Sequence, residues 1–218
     1  HCDSLISFDY DNAWVKKENF LSINTVCLIT SVQAVLSIEK IHSLNHYFQN
    51  VQIICVGERV SKYLKNKSVG NILKTFRDSN QLLSEFDFRK FKKNHFVYLC
   101  GNNYNVHLLE QIKSEGINCK PLIVYHVKTS SELKEETREL IEKNEINCVA
   151  LYSQFSANIF IELLKKASLA ESFRNKKIFC LSKKIELIVR SSHFNNVCVS
   201  PLPEEKSMID VIKKSLLV

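Results

Sequence analysis

A chain of 218 residues, 45% hydrophobic and 24% charged, has the balance of a globular protein of one or two domains with a real core. It has no apolar run near the roughly 18 residues that a membrane span needs, and no basic stretch leads into an apolar one as in an export signal. Its formal charge of +7 is spread along the chain, and Lys-rich pieces such as Lys62–Lys67 read as solvated helix faces. A basic surface attracts polyanions, among them nucleic acid and small molecules with many carboxylates, and the spread of the charge disfavours nucleic acid.

In chain order, Val26–Ile29 is a continuous apolar run, read as a buried parallel strand. Thr30-Ser31 ends it and caps a helix expected over Val32–Leu44. Ile53–Val56 is the next strand, and Gly57-Glu58-Arg59 turns into a helix over Val60–Lys65. Phe96–Cys100 is a third strand, followed by Gly101-Asn102-Asn103 and a helix over Val106–Glu115, with Gly116 where a helix C-terminal cap belongs. Pro121–Val127 is extended and alternates, and Val149–Tyr152 begins a second cycle. Strand, turn and helix in alternation predict α/β domains with parallel sheets. In such sheets ligands bind off the carboxyl ends of the strands, where helix N-termini turn N–H groups toward anions. The turns at Thr30-Ser31, Gly57-Glu58, Gly101-Asn102, Ser153–Ser156 and Ser182-Lys183 are therefore candidate contacts.

The chain also repeats itself. Asn24-Thr-Val-Cys-Leu-Ile-Thr-Ser-Val-Gln-Ala-Val-Leu-Ser-Ile-Glu39 reads like Asn147-Cys-Val-Ala-Leu-Tyr-Ser-Gln-Phe-Ser-Ala-Asn-Ile-Phe-Ile-Glu162. Asn50–Gly57 matches Asn175–Ser182, Ser79–Phe86 resembles Ser207–Lys214, and Cys2–Phe8 resembles Cys119–Tyr125. The period is too long for a solenoid and implies two copies of one small domain. The strand at Phe96–Gly101 with its helix has no partner in the first copy. That partner would precede His1, and one strand plus one helix corresponds to roughly 25 residues.

Eight cysteines form no C-x-x-C pair. Cys27, Cys55, Cys100, Cys148, Cys180 and Cys198 lie in apolar runs and are expected to be buried, reduced thiols in a cytoplasmic protein. His42 and His46 are four apart but lack a third ligand, so no metal site is expected. There is no Gly-x-Gly-x-x-Gly, Walker loop or Gly-x-Ser-x-Gly, which disfavours nucleotide enzymes and serine hydrolases.

The order of these features resembles the uroporphyrinogen-III synthase family. The resemblance rests on Leu28-Ile-Thr-Ser-Val-Gln-Ala-Val35, Val56-Gly57, Tyr98-Leu-Cys-Gly101, Val124-Tyr125-His126-Val127, Leu151-Tyr-Ser-Gln-Phe-Ser156 and Pro201-Leu-Pro-Glu204. No one motif is specific; their order and spacing along the whole chain are. The resemblance implies a bilobed molecule of two similar parallel-sheet α/β domains joined by a two-stranded β linker. The linker strands would be residues 1–8 and 122–127, the inserted domain 9–121, and the second domain 128–218 completed by the preceding segment. It further implies a cofactor-independent, monomeric lyase acting on hydroxymethylbilane, a linear tetrapyrrole with eight carboxylates. Tyr125 would be the proton donor, and Thr30, Ser31, Gly57, Gly101, Asn102, Ser153, Gln154, Ser156, Ser182 and Lys183 would bind substrate. The turn Leu181-Ser-Lys-Lys-Ile185 departs from the family's Gly-x-x-Thr pattern. A bilobed binding protein without catalysis and an inactive synthase are the alternatives.

Overall fold

In a computed structural model of the chain, residues 5–10, 24–40 and 44–216 are described. Two compact units emerge: Phe8–Lys128, and Thr129–Val218 together with the residues up to Ser7.

The first unit is built on a six-stranded sheet. Its elements are β1 (Ile6–Asp9, beginning just before the boundary), β2 (Thr25–Ile29), α1 (Val32–Glu39), α2 (Leu44–Phe48), β3 (Gln52–Val56), α3 (Glu58–Asn66), β4 (Ile72–Phe76), α4 (Ser79–Glu85), β5 (His95–Gly101), α5 (Val106–Ser114) and β6 (Cys119–Thr129). The order across the sheet is β1-β6-β5-β2-β3-β4. The pairs β2–β3, β2–β5, β3–β4 and β5–β6 are all parallel.

Alternation along the strands divides the core between the two faces, because successive side chains in a strand point to opposite sides. Cys27, Ile29, Ile53, Cys55, Val97 and Leu99 pack with Ala34, Val35 and Ile38 of α1 and with Val60 and Leu64 of α3. Val26, Leu28, Ile54, Val56, Phe96 and Tyr98 pack on the opposite face with Leu82 of α4 and Leu108, Leu109 and Ile112 of α5. A strand covered on both faces needs no polar residue, which is why the run at β2 is apolar throughout and wholly buried.

The second unit contains α6 (Glu135–Glu142), β7 (Cys148–Leu151), α7 (Gln154–Lys166), α8 (Ala170–Phe173), β8 (Lys177–Cys180), α9 (Lys183–Ser191), β9 (Val197–Val199) and α10 (Glu205–Leu216). Its sheet has the order β7-β8-β9, again parallel. One core serves it, with Phe160 and Leu164 of α7, Ile185 and Val189 of α9, Phe173 and Ile178 packed together. Here β7 leads into α7, as β2 leads into α1 in the first unit.

The structure departs from the sequence reading in several places. Helix α1 stops at Glu39, short of Leu44, where the Lys40 N–H bonds back to Leu36 and Ile38 carbonyls; the helix α2 then begins at Leu44. Strand β4 was not anticipated. It is an edge strand, and Lys74 and Thr75 break its apolar pattern on a half-solvated position. Cys148 and Cys198 are half-buried, unlike the fully buried Cys27, Cys55, Cys100, Cys119 and Cys180, because β7 and β9 are the outer strands of their sheet. His42 lies outside the described residues.

Ile54 has no exposed surface, whereas Leu187 on α9 is 68% exposed. Ile54→Ala is expected to cost about 2–5 kcal/mol of stability through lost burial and a residual cavity, and Leu187→Ala no more than about 0.5 kcal/mol. Urea unfolding curves of the two variants check this.

Candidate active site

From β2 the chain of the first unit moves one way across the sheet, through β3 to β4. It then returns to the other side of β2 for β5 and β6. The helices that follow β2 and β5 accordingly pack on opposite faces. The gap off the carboxyl ends of β2 and β5 is thus a topological switch point, where an open parallel sheet leaves a crevice.

The sequence candidates of this unit gather there. Thr30 and Ser31 follow β2, Gly101 and Asn102 close β5, and Tyr125 lies opposite Gly101 on β6. Thr30 Oγ1 and Tyr98 Oη share a hydrogen bond of 3.0 Å that ties the two switch-point strands together. Ser31 Oγ caps α1 by accepting the Gln33 N–H at 3.1 Å. The Asn102 N–H donates to the Tyr125 carbonyl at 3.2 Å. Its side-chain Oδ1 accepts the Val127 N–H at 2.8 Å, so this residue fastens the end of β6. Gly57 ends β3, one strand further out. Its φ of 94° suits glycine, and its N–H donates to the Phe76 carbonyl at 2.7 Å.

Tyr125 is 7% exposed. Burial pushes its phenol above the ordinary tyrosine value, against the opposing pull of a hydrogen bond with Ser31 and of the Gly101 backbone. The phenol is therefore protonated throughout the neutral range and is an acid rather than a base. Its ring lies over Gly101 so closely that a Cβ there would sit 2.5 Å from the ring carbon Cε2. Gly101 is thus required by the ring of Tyr125, a role that the turn motif alone does not reveal. Phe8 meets the same ring edge-on at 5.9 Å.

In the second unit, Ser153 caps α7 at the end of β7. Its Oγ accepts the Ser156 N–H at 2.9 Å and shares a hydrogen bond with Ser156 Oγ at 2.8 Å. Gln154 opens the helix beside them. Ser182 caps α9 at the end of β8 through its backbone only, leaving its hydroxyl without a capping bond, and Lys183 opens that helix. The end of β9 adds a pair that the sequence reading did not pick out. Ser200 Oγ bonds Ser207 Oγ at 2.8 Å and the Leu202 carbonyl at 2.7 Å, holding the Pro201–Glu204 turn before α10. The spacing of a serine on either side of that turn was the available signal. Among the described residues, no three His, Cys, Asp or Glu side chains come together as a metal site, and no helix is long and apolar enough to cross a membrane.

The family profile described as uroporphyrinogen-III synthase HemD matches residues 13–210. The chain belongs to the uroporphyrinogen-III synthase family. Solved structures agree with this in fold. The uroporphyrinogen-III synthetase of Helicobacter pylori 26695 superposes with a TM-score of 0.70 at 16% identity, over 97% of this chain and 91% of that one. A mutant uroporphyrinogen III synthase of the extremely thermophilic bacterium Thermus thermophilus gives 0.64 at 13% identity, over 98% and 87%. A comparison with curated protein sequences finds no match.

Gly101→Ala is expected to force the Tyr125 ring aside and to destabilise the protein by about 1–3 kcal/mol, as overpacking does. Gly70→Ala, where an added Cβ meets nothing within 4 Å, is expected to stay within about 0.5 kcal/mol. Thermal melts of both variants test the assignment.

Proposed function

We propose that the protein is a uroporphyrinogen-III synthase. It converts hydroxymethylbilane to uroporphyrinogen III, with loss of water and inversion of the terminal pyrrole ring D. The family match over residues 13–210 carries this reading. Family membership also favours catalysis over a purely binding role.

The chemistry asks for little beyond an acid and a mould. The carbon–oxygen bond of the hydroxymethyl group breaks, and the leaving oxygen takes a proton to depart as water. The electron-rich pyrrole chain bears the cationic azafulvene that results. The substituted carbon of ring D then attacks it, giving a spiro intermediate; the bond from that carbon to the ring C methylene breaks, leaving an azafulvene cation on ring C, and the free α-carbon of ring D attacks that methylene to close the macrocycle with ring D inverted. A proton is lost at closure, so acid and substrate balance without a cofactor. Tyr125 is the proton donor in this reading. Its buried, neutral phenol can give a proton and recover one.

Selecting the substituted carbon over the free one is a matter of positioning. The eight carboxylates are the handles. Helix N-termini capped at Ser31, Gly57, Ser153 and Ser182 offer N–H groups, and Thr30, Asn102, Gln154 and Ser156 offer side-chain donors. Lys183 supplies charge where the family pattern has a neutral turn. The same reading takes the two units as domains joined by linker strands at residues 1–8 and 122–127, and the enzyme as a cytoplasmic monomer.

Chromatography of oxidised products after incubation with hydroxymethylbilane tests the activity. Type III porphyrin above the spontaneous type I background is expected, and type I alone would rule the reading out. Tyr125→Phe is expected to lower kcat about 10²–10⁴-fold with an unchanged melting temperature. The donor form of a phenol with a raised pKa is present below that pKa and is lost only as pH rises through it. An alkaline limb due to Tyr125 should therefore lie above pH 10.0; a Tyr125-dependent limb near neutrality would contradict the role. Lys183→Ala is expected to raise KM with little change in kcat, and to weaken the dependence of KM on salt.

A further inference from the structure

In the run Phe96–Cys100 of β5, Tyr98 alone carries a hydroxyl. It stands in register with Leu28 of β2, and the two pack on the same face of the sheet. Side chains alternate along a strand, so Thr30, two residues beyond Leu28, comes to that face as well. The phenol spans from the level of Leu28 to that of Thr30 and meets Thr30 Oγ1 at 3.0 Å. Its ring is pinned among Val26, Leu28 and Leu108, and Tyr104 meets it edge-on at 5.9 Å. A phenylalanine would fill the same space and lack only the bond to Thr30.

Burial decides which of the two hydroxyls donates. Tyr98 is 2% exposed, so its hydroxyl hydrogen is cut off from water and needs a protein acceptor. Thr30 Oγ1 is the acceptor that the described residues provide. From the other side the backbone of Asn105, at the head of α5, bonds the phenol oxygen. An N–H can only donate, so it takes a lone pair of the phenol and not its hydrogen. The donors therefore run one way, from the Asn105 N–H to the Tyr98 hydroxyl to Thr30. Thr30 is half-buried at the carboxyl end of β2 and keeps its own hydrogen to give. Each bond in such a chain polarises the next, which favours an acceptor of negative charge at its end.

We propose that Tyr98 is a positioning residue for substrate binding: by donating to Thr30, it sets the Thr30 hydroxyl as a hydrogen-bond donor to one carboxylate of the substrate. The proposal rests on the synthase reading, in which Thr30 meets the substrate. Tyr98 itself touches no ligand and acts through Thr30. Without the phenol hydroxyl, the Thr30 hydroxyl turns freely and the chain of donors loses its middle link.

Uroporphyrin III, a fluorescent octacarboxylate, is the probe, and its Kd is read by titration. Tyr98→Phe is expected to weaken binding about 3–10-fold, the size of one neutral hydrogen bond. Thr30→Val is expected to weaken it at least as much, and Thr30→Ser to preserve it. In the Thr30→Val background, Tyr98→Phe is expected to change Kd by less than about 1.5-fold, because the two hydroxyls act as one unit. Tyr63→Phe is the control. It removes another phenol's bond, to Glu39 Oε2 at 2.6 Å near the far end of α1, and is expected to leave Kd unchanged. An equal loss from Tyr98→Phe in both backgrounds, or a like loss in Tyr63→Phe, marks a general loosening and overturns the proposal. Wild-type affinity in Tyr98→Phe overturns it too, as does a wild-type chain that does not bind the probe. Binding is read without turnover. A wild-type chain that shows the coupling yet forms only type I porphyrin loses the synthase reading and keeps this one; a chain that forms type III porphyrin without the coupling does the reverse.

Discussion

The parallel pairing of β2 with β5 governs where polar chemistry can sit in the first unit. The runs Val26–Ile29 and Phe96–Cys100 of that pair are buried and, but for the Tyr98 hydroxyl, apolar, so a further functional group could not project from the sheet without loss of core. Only the carboxyl ends remain, where the backbone leaves the ladder and the helix N-termini begin. Thr30, Ser31, Gly101 and Asn102 occupy those ends, and the Thr30–Tyr98 hydrogen bond ties the two strands beneath them. The candidate site lies where it does because strand order reverses at β2.

The capping role of these groups is physically compatible with the substrate contacts proposed for them. A serine that caps a helix satisfies one of the N–H groups orphaned in the first turn. Other N–H groups of that turn still point outward, and the helix dipole favours an anion there. The caps at Ser31 and Ser153 thus stabilise α1 and α7 while leaving other N–H groups of the first turn free of the cap. The cysteines, by contrast, are material of the core. Burial raises the thiols of Cys55, Cys100 and Cys119 to about 12, so they are protonated and act as small hydrophobic side chains.

Elements with two covered faces were plain in the chain of residues. The run Val26–Ile29 and the strand at Phe96–Cys100 are continuous and apolar because both sides are packed, and Ser31 and Ser153 stand where their helices begin. Edge strands were harder. β4 mixes Lys74 and Thr75 with apolar residues, because one side of it meets solvent and the ladder ends there. The break after Glu39 was also hidden, since Leu44–Phe48 continues in helical residues and no Gly or Pro marks the interruption. The turn serines could be nominated one by one, but a serine before a helix looks the same whether it meets a ligand or only caps.

The residues alone determined the α/β class, the parallel strands and the family, because hydrophobic period, turn chemistry and motif order are local properties written along the chain. Only the tertiary structure decided which turns lie side by side at the strand ends, since that depends on the order of strands across the sheet and not along the sequence. It also decided the role of Gly101. A glycine after a strand is ambiguous by itself, and it took the ring of Tyr125 from β6, stacked against that backbone at a distance no Cβ would allow, to show why nothing larger can stand there.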